Sequence, residues 1–192
     1  MEIRQQRHAL LHWYQTTARE LPWRSHPAPW RVMVSEFMLQ QTQVKTVLPR
    51  YEPFLDLFPS PSAMVRAGEE AVISAWAGLG YYRRARALFA AASAVVEHHD
   101  GIVPGELESL RALPGVGAYT SAAIASIGFG VSAAVVDGNV ERVLARLRSM
   151  HDPVRKAAGR RSIQALADEF LNPFDPGDHN QAMMELGARV CR

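Results

Sequence analysis

The sequence predicts an all-α protein. Apolar residues recur at helical spacing, most plainly at Val140, Val143, Leu144 and Leu147, which follow the i, i+3, i+4, i+7 rule of one helix face. No segment alternates polar and apolar residues as a half-buried strand does. No repeat, low-complexity tract or long linker interrupts the succession of helices. With 192 residues, 48% of them hydrophobic, the chain can bury a core as one large domain or two small lobes.

In order along the chain, Ile3–Thr17 carries Leu10, Leu11, Trp13 and Tyr14 as its apolar residues, and Glu20–Pro29 is a proline-rich loop. Trp30–Gln41 and Gln43–Phe58 follow. Pro49 and Pro53 count against the second, because an interior proline removes a helical hydrogen bond. Pro61–Ala67 opens on a proline in its first turn, and Glu69–Ala77 is a second short helix. Arg83–His98 is long and alanine-rich, with Gly101 as its stop. Glu106–Ala112, Ala118–Ile127, Val140–Met150, Arg155–Leu171 and His179–Cys191 complete the series.

The net charge is +2, from 21 basic and 19 acidic residues, which neither demands nor excludes a nucleic-acid partner. The single cysteine, Cys191, excludes an internal disulfide framework and fits a reducing compartment. The N-terminal MEIRQQRHALLHWY carries charges where a secretion signal needs an apolar stretch. Residues 120–136 carry no charge, fall short of the ~20 residues that cross a bilayer, and read as a buried helix with its exit loop. The expectation is a soluble cytoplasmic protein, nucleoid-associated in a bacterium. His8 and His12 have metal-ligand spacing without a third ligand, and none of the histidines is assigned to catalysis.

Residues 113–120, LPGVGAYT, place Gly115 and Gly117 ahead of a small-residue helix. A P-loop needs a following lysine, and a dinucleotide fingerprint needs a preceding strand and a third glycine where Thr120 stands. What remains is a helix, a tight hairpin and a helix. Glycine there lets backbone N–H groups face outward at a helix N-terminus and receive an anion such as a phosphodiester. Glycine for packing at a helix corner is the plainer alternative. Asp137 stands at the expected N-cap of the Val140 helix, where a structural cap is again the plainer role. Glu36 lies among Val34, Phe37, Met38 and Leu39, where a carboxylate is costly unless paired or protonated; its alternative place is the solvent face.

LPWR at 21–24, SEFMLQQTQV at 35–44, GLGYYRRAR at 78–86, LPGVGAYTSAAIAS at 113–126, DGNVERVLAR at 137–146 and NQAMMELGARVC at 180–191 occur in this order. Together they resemble the catalytic region of MutY-type adenine DNA glycosylases, in the helix-hairpin-helix superfamily that includes endonuclease III. The resemblance covers nearly the whole chain. It implies two helical lobes with the active-site cleft between them: residues 22–131 as a helical barrel carrying the hairpin, and 1–21 with 132–192 as the second lobe. It implies a monomer acting on double-stranded DNA with an adenine mismatch, and hydrolysis of the N-glycosidic bond of adenine opposite 8-oxoguanine or guanine.

By the same resemblance Glu36 is the acid that protonates the leaving base and later activates water, and Asp137 stabilises the cationic sugar. Asn139 and Tyr119 assist at the sugar and the attacking water. Trp23, Arg24 and Gln181 line the adenine pocket, while Gln41 and Tyr81 wedge into the duplex. Gly115, Val116 and Gly117 hold the DNA backbone through the N–H groups of Val116 and Gly117, with a monovalent cation on neighbouring carbonyls. Arg83, Arg84 and Arg86 form a phosphate-facing patch, for which a solvated helix face is the alternative. Where strand-cleaving relatives carry a lysine nucleophile this chain has Tyr119, which implies a monofunctional enzyme.

The chain departs from the family at one place. Most relatives hold a [4Fe–4S] cluster on four cysteines, and Cys191 matches the first of these before the sequence ends at Arg192. The expectation is a truncated form, also without the C-terminal domain that recognises 8-oxoguanine. Two rival readings are a thymine or uracil mismatch glycosylase of the same superfamily and a non-catalytic helix-hairpin-helix DNA-binding module. The LQQTQV segment and Gln181 favour adenine over the first, and an embedded Glu36 has no use in the second.

Overall fold

The computed structural model describes residues 2–150 and 156–192, and every regular element among them is helical. The chain divides into two compact units: Glu20–Phe129, and Met1–Arg19 together with Gly130–Arg192. No described helix is long and apolar enough to cross a membrane.

The unit Glu20–Phe129 contains α2 (Pro22–Ser25), α3 (Pro29–Leu39), α4 (Val44–Leu57), α5 (Pro61–Ala67), α6 (Glu69–Ala75), α7 (Arg83–His98), α8 (Leu107–Ala112) and α9 (Ala118–Ala123). The last runs into a π-helical turn, Ile124–Gly128. Its core is built from Phe37, Tyr51, Phe54, Met64, Trp76, Leu88, Leu110 and Ile124. Helix α3 is the central element: Val32 to Met38 are all buried, and α4, α7, α9 and the π-turn pack around it. A helix enclosed on all sides has no solvent face, which disposes of the exposed alternative for Glu36.

Two expectations are corrected in this unit, and the helix expected over Gln43–Phe58 forms despite its prolines. The loop Glu20–Pro29 contains the single turn α2, pinned by Trp23, whose ring meets Tyr51 edge-on at 5.3 Å. Pro49 and Pro53 lie inside an unbroken α4. Both prolines are exposed, and the opposite face, Val47, Tyr51, Phe54 and Leu55, is buried deeply enough to hold the helix against the lost hydrogen bonds. The plain helix expected to Ile127 widens at Ile124, where the Ser126 hydroxyl donates to the Ala122 carbonyl at 2.7 Å.

The unit Met1–Arg19 with Gly130–Arg192 contains α1 (Ile3–Thr17), α10 (Gly138–Leu147), α11 (Ala157–Phe170) and α12 (Pro176–Arg189). The expected helix start at Arg155 lies outside the described residues. Leu10, Tyr14, Val140, Val143, Leu144, Ile163, Phe170 and Met183 form its core. α12 starts earlier than the expected His179 because Asp175 caps it, accepting from the Asp178 N–H, with Pro176 in the first turn. Glu185 is fully buried on α12 and receives a bidentate pair of hydrogen bonds from Arg19, each 2.7 Å. His179 is buried beside Phe170, its Nδ1 lacks a hydrogen-bond partner, and burial, then Arg7, lowers its pKa to about 4.

Candidate active site and nucleic-acid interface

The candidate residues fall into two sets, one in each unit. In the unit Gly130–Arg192 with Met1–Arg19, a loop leads to Asp137 at the N-cap of α10. Its Oδ1 accepts from the Asn139 and Val140 N–H groups at 2.9 and 2.8 Å, and its Oδ2 from the Asn139 side-chain amide at 2.8 Å. These donors suit an ionised carboxylate, which is acceptor-only. Asn139 is held in turn, its Oδ1 accepting from Arg142 at 2.9 Å. Arg142 also donates to the carbonyls of Gly187 at 2.7 Å and Cys191 at 2.6 Å, so it ties the start of α10 to the end of α12. The two helices touch at Gly187, where a Cβ would stand 2.5 Å from Asn139 Cβ. The loop before Asp137 is fixed by Asn180, whose amide accepts from the Val135 N–H and donates to the Ala133 carbonyl. Gln181, one residue on, is buried and donates to Asp178 at 3.2 Å.

Nothing in the sequence alone marks Arg142 or Asn180 as a site residue. An arginine in a second helical turn and an asparagine in a helix are common, and only their partners mark them.

In the unit Glu20–Phe129, Glu36 is 6% exposed on the enclosed helix α3. Trp23 is buried at 7% and Arg24 is half-buried. Tyr119 stands half-buried in the first turn of α9, whose following residue Thr120 accepts from Gln40 at 3.5 Å.

The hairpin differs from the expectation in two respects. The Val116 N–H donates to the Leu113 carbonyl at 3.1 Å, so that amide closes the turn. Gly115 has φ +74, and a Cβ there would lie 2.8 Å from Ala87 Cβ and 3.2 Å from the Phe37 ring. The close approach that this glycine serves is therefore to the protein itself. Gly117 differs: nothing lies within 4 Å of a Cβ built on it, and it precedes the first-turn amides of α9, which carry no side-chain cap.

Gln41 and Tyr81 are both exposed, Tyr81 at 63%, and both adopt left-handed backbone conformations with φ 55 and 48. Such outliers among non-glycine residues gather at functional sites. The expected arginine patch is corrected. Arg83 and Arg86 are exposed, but Arg84 is buried and turned inward onto backbone carbonyls, where desolvation lowers its pKa against the opposing Tyr81.

The half-buried Cys191 accepts from Arg146 through Sγ at 3.3 Å. One cysteine supplies one thiolate, and among the described residues no group of three or more His, Cys, Asp or Glu is arranged to hold a metal ion. The donor set present does not fit a [4Fe–4S] cluster. His8 and His12 stack with ring centroids 6.5 Å apart.

Residues 34–169 match the model of the HhH-GPD superfamily of base excision DNA repair proteins. The chain is 44% identical over 199 residues to the adenine DNA glycosylase of Homo sapiens, covering 99% of this chain and 36% of that protein. It is 39% identical over 183 residues to the adenine DNA glycosylase of Mycolicibacterium smegmatis, covering 95% and 62%. The chain thus spans between about a third and three fifths of the length of these relatives. A thermostable thymine-DNA glycosylase superposes with a TM-score of 0.88 at 24% identity, covering 99% of this chain and 88% of that one. Endonuclease III in a non-covalent DNA complex superposes at 0.80 with 21% identity, covering 100% and 88%. At these identities the structures establish the common fold.

Proposed function

We propose that this chain, which belongs to the HhH-GPD superfamily of base excision DNA repair proteins, is a DNA N-glycosylase that releases adenine mispaired with 8-oxoguanine or guanine. The observation that carries the reading is the likeness to adenine DNA glycosylases along 95–99% of the chain. The buried Glu36 and the capped Asp137 supply chemistry that suits it.

Adenine leaves poorly as an anion. Glu36 gives its proton to the imidazole-side nitrogen of the base, the C1′–N9 bond breaks, and the bonding pair departs with neutral adenine. The sugar becomes an oxocarbenium ion, whose charge the Asp137 carboxylate stabilises. Glu36, now a carboxylate, takes a proton from the attacking water, which restores the acid and leaves an abasic site. Asn139 fixes the orientation of Asp137. The base must first leave the stack, at a cost of a few kcal/mol, and Gln41 and Tyr81 enter the duplex to offset it. The hairpin at Gly117 receives a backbone phosphate through the first-turn amides of α9. Trp23, Arg24 and Gln181 recognise the extruded adenine. Tyr119 has no amine with which to form an imine, so the reaction stops at the abasic site.

The test is base release by this chain from duplexes carrying A, T or U opposite 8-oxoguanine or guanine. Adenine release without strand scission is the expected result. Preferential release of thymine or uracil would replace the proposal with the sister activity. Binding without release of any base would reduce the protein to a DNA-binding module.

A further inference from the structure

Arg84 is the most heavily bonded cation in the unit Glu20–Phe129, and nothing in the chemistry above uses it. The last turn of α3 leaves four carbonyls to be satisfied. Glu36 O accepts from the Gln40 N–H and Leu39 O from the Thr42 N–H. The remaining two, Phe37 O and Met38 O, accept from Arg84 Nη1 at 3.2 and 2.8 Å. The same guanidinium donates to the Gln40 carbonyl and, at 2.8 Å, to Thr42 Oγ1. It also reaches the carbonyls of Leu79 and Gly80, each at 3.2 Å. Six acceptors thus converge on one planar group. Two of them flank Gln41, and two directly precede Tyr81. The Tyr81 ring lies over the guanidinium at 5.3 Å, and Trp76 lies near it at 5.7 Å.

The geometry points to Arg84 as a positioning residue that locks residues 40–42 to residues 79–81, so that Gln41 and Tyr81 meet the duplex together and already in their left-handed conformations. This rests on the reading of the chain as a base-extruding glycosylase. A lysine cannot substitute: its ammonium offers three donors from one point, whereas the two Nη atoms that make all of these bonds present four in a rigid fork, Nε having no partner. Preset side chains need no reordering when the base leaves the stack, and the gain appears in the extrusion step.

The test uses Arg84→Lys in the 192-residue chain. Three readouts are followed: hydrogen exchange of the free protein, the fluorescence rise of 2-aminopurine in place of the target adenine, and adenine release from paired and already unpaired sites. We expect exchange at 40–42 and 79–82 to quicken together by at least tenfold while 118–128 is unchanged. Extrusion should slow by at least tenfold, and release from an unpaired adenine should fall less than threefold. Adding Tyr81→Ala should cost the lysine variant little more. A folded Arg84→Lys protein with wild-type extrusion, or losses that multiply in the double variant, would overturn the inference.

Should Arg84→Lys not fold, Thr42→Val removes a single acceptor and should give the same pattern at two- to fivefold. An unchanged extrusion rate in that variant would equally refute the lock. If the unaltered chain releases no adenine, the glycosylase reading fails separately, and exchange alone decides: joint loosening of both segments supports the lock, and independent loosening overturns it.

Discussion

Gly187→Ala should destabilise the unit that carries Asp137 although alanine is the better helix former. The new Cβ would stand 2.5 Å from Asn139 Cβ, 2.8 Å from its carbonyl oxygen and 2.9 Å from its carbonyl carbon. Carbon atoms in contact prefer about 3.5–4.0 Å, so α10 and α12 must separate by roughly 1 Å. Two of the three neighbours are backbone atoms, and no rotamer change relieves them. Overpacking of this kind costs about 1–3 kcal/mol, and the backbone clash puts this case near 3. Helix propensity returns up to about 1 kcal/mol, leaving a net loss of about 2. For a chain of this size that lowers the unfolding midpoint by about 4–8 °C. Because Asn139 orients Asp137 and Arg142 bridges Asn139 to the Gly187 carbonyl, single-turnover adenine release should fall at least tenfold well below the melting range. Thermal unfolding and release would be measured beside Gly138→Ala, where nothing lies within 4 Å and the midpoint should move little. A Gly187→Ala protein as stable as the parent would refute the tight helix contact and the positioning argument built on it.

Glu36→Gln should abolish adenine release, by at least a thousandfold, while duplex affinity stays within threefold; near-normal turnover would sink the acid assignment. Gly117→Glu fits sterically, since its Cβ meets open space, so the fold should survive while binding weakens by tenfold or more on every sequence and steeply with salt. A change of base preference without a change of affinity would give the hairpin another role. Tyr119→Lys should gain strand cleavage and become trappable on DNA by borohydride, and loss of stability without new chemistry would make Tyr119 a packing residue. His179 titrates near 6.5 when unfolded and at about 4 when folded, so its contribution is complete above pH 6.5 and is lost as pH falls through 4. The loss amounts to at most roughly 3 kcal/mol. Replacing it with leucine should flatten urea stability over that pH window, and an unaltered slope would assign the acid sensitivity to other groups.

Much of the fold is legible in the sequence because its causes are local. Ile3–Thr17, Pro61–Ala67 and Arg83–His98 have the bounds that their apolar period and flanking residues suggest. Asp137 is legible as a cap for the same reason: its acceptors lie two and three residues from their donors. The character of Glu36 is half legible, since an apolar run reveals an embedded carboxyl but not which helices enclose it.

The tertiary structure decided what local chemistry leaves open. Arg83, Arg84 and Arg86 look alike along the chain, yet the register of α7 against the end of α3 sends only Arg84 inward, onto carbonyls from residues 37 to 80. Pro49 and Pro53 sit in an unbroken helix because the buried face across from them outweighs the missing hydrogen bonds. Gly115 answers to Ala87 and Phe37, Gly187 to Asn139, and the segment around the left-handed Gln41 is met by Arg84, a cation remote from it in sequence. Hydrogen-bond propensity and hydrophobic period act over about four residues, so the sequence determines the helices and their caps. Desolvation, steric contact and the satisfaction of helix-end carbonyls depend on whichever segment packs there, and that is set only when the chain has folded.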